Sequence, residues 1–477
     1  MKMNRYIYSI SFGIALLLTS CGIPKLVQRE ENITLPENYT ELSTDSISSA
    51  KLKREYFFKD SQLLALIDSA LVNNQEVNML LQRIEIAKNE INIRKGEYLP
   101  FIGIQAGADI DKSGSYTRNG SIERSLEIKP GEEFPEPLPN FGFGLTASWE
   151  LDIWKKLRNA KKASVLEYLA STEGKNFLVT NLVSEIADSY YELMALDNQL
   201  VNLEKNIEIQ KNALEIVKLL KDAARTTSLA VKRFEAEVHK NQSEIYMLKQ
   251  KITETENRIK VLVGDASVNV TRNSVTFMEL EPDVISSGIP ANLLTNRPDV
   301  KQAELELQAA KLNIQVARAN FFPRIDLKAG IGFQSFNPGY LLTTPESLAY
   351  SIAGDIVAPL INRNAIKATY KNAGARQIET AYEYEKVILH AFTEVVNQLS
   401  SLDNLEKSYE LKQKQVEALT ASIEISNQLF QSARADYMEV LLTQRDALEA
   451  RMELIETKKD QLTSTVKLYK ALGGGWK

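Results

Sequence analysis

Histidine, cysteine and long apolar runs are nearly missing from this chain of 477 residues, and each shortage removes a class of function. The two histidines, His239 and His390, fall in no metal-ligand or catalytic-triad spacing. The one cysteine, Cys21, excludes an intrachain disulfide and any multi-cysteine metal centre. After the first twenty residues no apolar stretch reaches the roughly 20 residues of a membrane helix, so a mature chain that crosses a membrane must do so as strands. The net charge is -5, with no basic run suited to a phosphate backbone, so nucleic acid is not an expected partner. The glycine triplet at 473–475 is terminal and precedes no helix, unlike a phosphate-binding loop. The methionines are scattered, which disfavours a soft-metal route. These absences together predict a protein that is not an enzyme and holds no cofactor.

Proline and glycine are absent in blocks. No proline lies between Pro139 and Pro282 and none follows Pro359; no glycine lies between Gly174 and Gly264 or between Gly374 and Gly473. These residues cost a helix interior most, so the blocks predict helices near 155–222, 228–263, 364–433 and 437–471. The first would be roughly 100 Å long at about 1.5 Å per residue. Leu196, Leu200, Leu203, Ile207, Leu214 and Val217 keep near-heptad spacing, as do Phe234, Val238, Ile245, Leu248, Ile252, Ile259 and Leu262. Such spacing packs helices lengthwise on one another.

The N-terminus carries Lys2 and Arg5, an apolar run from Ile7 to Leu18, and small residues before Cys21. That is the layout of a secretory signal over 1–20. Leu18-Thr-Ser-Cys21 resembles a bacterial lipobox, which implies that Cys21 is lipidated and begins the mature chain, with 21–60 as a lipidated N-terminal segment.

Two segments alternate strictly. In Phe141-Gly-Phe-Gly-Leu-Thr-Ala-Ser-Trp-Glu150 and Arg324-Ile-Asp-Leu-Lys-Ala-Gly-Ile-Gly-Phe333 one face is apolar and the other small or charged. This is the pattern of a strand between lipid and water. Leu145, Trp149, Ile325 and Ile331 are expected toward lipid, and Glu150, Asp326 and Lys328 toward water. Lys88–Pro100 aligns with Lys311–Pro323: in both, a helix ends, an aromatic residue precedes proline, and a strand begins. The chain therefore divides into a first repeat at 61–264 (strands about 99–112 and 141–152), a linker at 265–290, a second repeat at 291–473 (strands about 323–334 and 350–359) and a tail at 474–477. Polar loops are expected at 113–140 and about 335–349. Four strands cannot close a barrel, and open edges in lipid leave backbone groups unpaired. Copies of the chain must share one barrel, of eight strands for two copies or twelve for three.

In order along the chain, Trp149-Glu-Leu-Asp152-Ile-Trp154, Asn296-Arg-Pro-Asp-Val300, Phe321-Phe-Pro323, Tyr437-Met-Glu-Val-Leu441 and Ala471-Leu-Gly-Gly-Gly-Trp476 resemble the TolC family of outer-membrane efflux channels, in its OprM-like lipoprotein branch. The resemblance implies a homotrimer that is mainly α with a membrane β-barrel: a shared twelve-stranded barrel above a helical tunnel. It implies a passive outer-membrane exit duct, lipid-anchored in the outer membrane. Its expected partners are a periplasmic adaptor protein and an inner-membrane pump of the resistance–nodulation–division type, carrying drugs or other small molecules. A protein-secretion duct and a lipid-anchored adaptor or scaffold are the alternatives; the scaffold would lack duplicated strands. Asn296 can cap the helix that Pro298 opens.

Departures are local. Lys155 and Asn364 stand where the family often has glycine, as do Ala224-Arg225 and Ala433-Arg434 at the hairpin turns that the resemblance assigns to adaptor docking. The resemblance also aligns Glu439 with an acidic position near the narrow tip, with Asp436 three residues earlier. Rings of acids favour cations; alternatively the pair forms a capping box. The first repeat has Thr227 to Ala230 there, without a second acid.

Overall fold

A computed structural model describes residues 23–39, 48–282, 285–359, 363–432 and 434–476. The signal segment 1–20, Cys21 and Ala433 lie outside the described residues. No described helix is long and apolar enough to cross a membrane.

The first repeat runs α1 (Ser61–Asn73), α2 (Gln75–Tyr98), β1 (Phe101–Asp111), β2 (Leu138–Glu150), α3 (Lys156–Asp222) and α4 (Ser228–Val263). The second runs from a short helix, Leu293–Asn296, into α5 (Pro298–Ala319), β3 (Arg324–Ser335), β4 (Leu348–Val357), α6 (Asn364–Gln431) and α7 (Tyr437–Ala471). The segment 113–140, expected as a polar loop, has structure of its own. It contains a helix at Arg118–Ser125, capped by Thr117, and a small hairpin of Glu127–Lys129 with Glu132–Glu133. The start of β2 at Leu138 also lies earlier than the alternation suggested.

The compact units of the chain do not follow the repeats. One combines the N-terminal residues to Glu30 with Ile86–Tyr168 and Leu305–Ala381; the other combines Glu31–Glu85, Leu169–Glu304 and Tyr382–Lys477. Each takes material from both repeats, as expected if neither repeat can bury its apolar faces alone.

The first unit holds an antiparallel sheet in the order β1-β2-β3-β4, a plain meander. The ends of the helices α2, α3, α5 and α6 pack beside it. Arg158 lies over the Tyr98 ring at 5.8 Å. Asn159 Nδ2 donates to Gln315 Oε1 at 3.0 Å. Ile314, Ala317, Phe321 and Tyr370 form a buried cluster that Ile23 and Leu26 cover.

The second unit holds the main apolar core. Asp60 caps α1 through the N–H groups of Gln62 and Leu63, and accepts the Tyr190 hydroxyl at 2.8 Å. Around it Leu63, Ile67, Ile186, Leu193, Ile259 and Tyr469 are buried. Farther along, Leu196, Leu203, Ile207 and Leu248 form one buried layer, and Leu214, Val217, Phe234, Val238 and Leu441 another. The spaced leucines of α3 thus meet those of α4 and α7.

Arg297 ties the start of the second repeat to its end in this unit. It is 5% exposed. It donates twice to Asp299 (3.0 and 2.8 Å), once to Glu394 of α6 (2.8 Å) and once to the Ala471 carbonyl at the end of α7 (2.7 Å). Asn296, expected as a cap, is instead the last residue of the short helix before Arg297, because the carbonyl of Arg297 accepts the first helical N–H, that of Lys301. Gly473 is required by its positive φ of +94° and by the Asn296 carbonyl, which a Cβ would meet at 2.6 Å.

Candidate conduit and its ends

The register of the sheet sorts its side chains into two faces. Ile104 opposes Leu145, Leu145 opposes Ile331, and Ile331 opposes Tyr350. Two residues on, Ile102, Ala147, Ala329 and Ile352 form the next row of the same face. Trp149 and Ile325 share this face by parity, so the residues expected toward lipid lie together. Ile104 is 83% exposed and Ile352 87%, in a face that is apolar apart from groups such as the Tyr350 hydroxyl and the Trp149 indole N–H.

The opposite face is polar or small. Asn140 Nδ2 donates to Asp109 at 3.0 Å, and Gln334 Nε2 donates to Asn140 at 2.8 Å, linking three strands. Toward the helices Lys328 pairs with Asp355 at 2.9 Å and Arg324 with Asp326 at 2.8 Å. Glu150 and Asp326 oppose each other across β2 and β3. Between these levels Gly144 and Gly332 are directly opposed, and a Cβ on Gly144 would meet the Ile331 carbonyl at 2.6 Å. Among the described residues the outer edges of β1 and β4 have no strand partner.

The helix end of the sheet is pinned by indoles. Trp149 Nε1 donates to the Tyr98 carbonyl at 3.0 Å, and Trp154 Nε1 to the Pro323 carbonyl at 2.7 Å. Trp154 also stacks on Phe322 with ring centroids 4.7 Å apart. Asp152 is buried and opens α3: it accepts the N–H groups of Leu157 and Arg158, each at 2.9 Å, and the Arg158 guanidinium at 3.1 Å. A cap was not expected at Asp152; its signal in the sequence was an acid a few residues ahead of a helical run.

At the α3–α4 turn, Ala224 has φ +57°. Its N–H donates to Lys221 O, and that of Arg225 to Leu220 O. This is the six-to-one closure of a helix C-terminus that normally places glycine at the left-handed position. The α6–α7 turn repeats the long bond: Arg434 N–H donates to Leu429 O at 2.8 Å. Ala224, Arg225 and Arg434 are all exposed.

Asp436 stands at the N-cap of α7, yet its side chain makes no capping hydrogen bond. The capping box is therefore not formed, whereas Thr227 at the matching place does cap, accepting the Ala230 N–H at 3.4 Å. Both Asp436 and Glu439 are exposed, and the structure places them at the start of one helix beside the turn. His239 and His390 are exposed and far apart in sequence, and no three acid, histidine or cysteine side chains gather as metal ligands among the described residues.

A family model described as outer membrane efflux protein matches residues 66–265 and 289–474. The chain belongs to that family. Its relatives include the toluene efflux pump outer membrane protein TtgI of Pseudomonas putida, 28% identical over 436 residues, covering 90% of this chain and 89% of the relative. The cation efflux system protein CusC of Escherichia coli K12 is 26% identical over 473 residues, covering 98% and 99%. Among solved structures, the open-state MtrE outer membrane channel of Neisseria gonorrhoeae superposes with a TM-score of 0.82 at 22% identity, over 96% of this chain and 99% of that one. This outer membrane efflux protein therefore shares the channel fold across nearly its whole length.

Proposed function

We propose that three copies of this outer membrane efflux protein close a twelve-stranded barrel and form a passive exit duct. The observation that carries the reading is the two-faced sheet with both edges unpaired, joined to helices of 67 and 68 residues. Unpaired edges in lipid cost several kcal/mol per group, so β1 of one copy pairs with β4 of the next. An eight-stranded barrel would be filled by side chains, whereas twelve strands leave a lumen. The small and polar face lines it. The chain performs no chemistry: transport is driven by an inner-membrane pump of the resistance–nodulation–division type, coupled through a periplasmic adaptor that docks on the hairpin turns at Ala224-Arg225 and Ala433-Arg434, of which Ala224, Arg225 and Arg434 are exposed. Drugs and other small molecules are the cargo, in keeping with the solvent, toluene and cation efflux named for the relatives.

Cys21 supplies the lipid anchor. Ile23, two residues later, packs on the Phe321 cluster at the start of β3. Arg29 holds this segment by a two-way bond to the Gln377 side chain, at 3.1 and 2.7 Å.

Glu439, with Asp436, forms the cation-favouring gate. The free carboxylates support this, since neither is engaged in the capping that would otherwise account for them. Purified protein in a planar bilayer should conduct without nucleotide and favour cations. Glu439→Gln should lower the cation preference while the trimer persists. A variant with wild-type selectivity would remove Glu439 from the gate, and a protein that never conducts would remove the duct.

A further inference from the structure

The helix ends that pack beside the sheet are strongly basic. Residues 86–100, 152–168, 305–323 and 363–381, all within the first compact unit, hold fourteen lysines and arginines against six aspartates and glutamates. This net charge of +8 sits in a chain whose total is -5. Lys95, Lys155, Lys162, Arg318, Lys367 and Lys371 are exposed, and they come from all four helices. Lys155 directly precedes α3, and Lys162 lies in the second turn of that helix. Lys367 and Lys371 share a face of α6. The helices are held together by the Asn159–Gln315 bond, by Arg363 over the Phe321 ring at 5.0 Å, and by the Ile314–Tyr370 cluster. Packing so many like charges costs free energy through mutual repulsion, and few acids are at hand to offset it.

The basic surface begins where the apolar face ends. Trp149 closes that face and is 37% exposed; Trp154, 43% exposed, is followed directly by Lys155. Apolar strand, then indole, then cation is the order in which a protein meets hydrocarbon, interface and headgroup. Lysine and arginine reach the headgroup phosphates while their stems stay against apolar surface.

We propose that this basic collar is a docking surface for anionic phospholipid headgroups in the leaflet on the helix side of the sheet. It fixes the depth of the barrel and selects phosphatidylglycerol-like lipid over zwitterionic lipid. The inference rests on the membrane reading above. A collar facing the lumen would instead draw anions into the pore, which the continuity with the exposed indoles disfavours.

The test uses the purified full-length protein in neutral detergent, with phosphatidylglycerol, phosphatidylcholine and inorganic phosphate as probes. Wild-type protein should bind phosphatidylglycerol in preference to phosphatidylcholine, with affinity falling as salt rises, because the Debye length shrinks to about 8 Å at 0.15 M. The triple variant Lys155→Gln, Lys162→Gln, Arg318→Gln should lose affinity on the order of 100-fold, taking roughly fivefold per cation near an anionic surface. The matching variant with Lys155→Arg and Lys162→Arg should keep it. Equal binding of the two lipids by wild type, or equal affinity in wild type and the glutamine variant, overturns the proposal. So does inorganic phosphate competing as well as phosphatidylglycerol, or a glutamine variant whose ion selectivity shifts while its lipid affinity stays. Protein that conducts as expected but shows no lipid preference refutes the collar alone; protein that neither inserts nor conducts refutes the duct.

Discussion

Ala224 holds a left-handed backbone angle that costs an ordinary residue about 1 kcal/mol and glycine almost nothing. Lys155 does the same at φ +59°, just after the second strand. Both positions stood out in the sequence as departures from the family's glycines, and the turn chemistry shows what the departure costs. Ala224→Gly should stabilise the folded chain by about 1 kcal/mol and raise its thermal midpoint, because the turn keeps its closing bonds. A lower midpoint would contradict the strain. Asp188 in α3 offers a second test, and nothing in its sequence context marked it. Burial raises its pKa from 3.8 to about 7, opposed by Lys467 and Lys470 and aided by Glu185 and Glu192, and its Oδ1 has no hydrogen-bond partner. Between pH 4 and 7 the folded state holds the proton that the unfolded state has lost, so stability falls as pH rises through this range. Asp188→Asn should flatten that slope and stabilise the protein at pH 8 by on the order of 2–4 kcal/mol. Thermal midpoints of both proteins measured from pH 5 to 8 decide it; parallel curves would show that Asp188 does not carry the dependence.

At the scale of elements, alternation made the strands visible because a sheet between lipid and water must repeat every two residues. The blocks without proline and glycine made the long helices visible for the matching reason that nothing in them interrupts a helix. The register then places Ile331 opposite Leu145 and Tyr350, and Asp326 opposite Glu150 and Asp355. Ile331→Lys puts a charge on the apolar face, at a cost of roughly 2–4 kcal/mol near mid-bilayer, whereas Asp326→Lys changes only the polar face. Trimer yield in outer-membrane fractions should drop sharply for the first and little for the second; equal yields would reject the assignment of the two faces. What periodicity could not reveal is long-range pairing. The Arg-Pro-Asp stretch marked a helix start, but Glu394 and the Ala471 carbonyl, the partners that bury Arg297, are 97 and 174 residues away. The helix and hairpin within 113–140 were hidden by a composition that also suits a loop. A capping box at Asp436 fitted the spacing, and it is absent because the carboxylate does not turn back to the helix.

On the scale of the whole molecule, charge shows the same limit. Five of the collar's cations already form a run in the sequence, Lys155-Lys156-Leu-Arg158-Asn-Ala-Lys161-Lys162, but the other nine lie in three separate segments, and only the fold gathers them beside it. The sheet, by contrast, declares its incompleteness at once, since a four-stranded meander with two open edges cannot rest in lipid alone. Everything proposed for the duct follows from how those edges are satisfied. The most direct measurement is therefore disulfide cross-linking in outer-membrane fractions, with one cysteine introduced in β1 at Gln105 and a second stepped along the same polar face of β4 from Ala349 to Asp355. The account predicts cross-linking between different copies, in a ladder that ends at three chains. No intermolecular cross-link at any step, or a ladder ending at two or four chains, would contradict it.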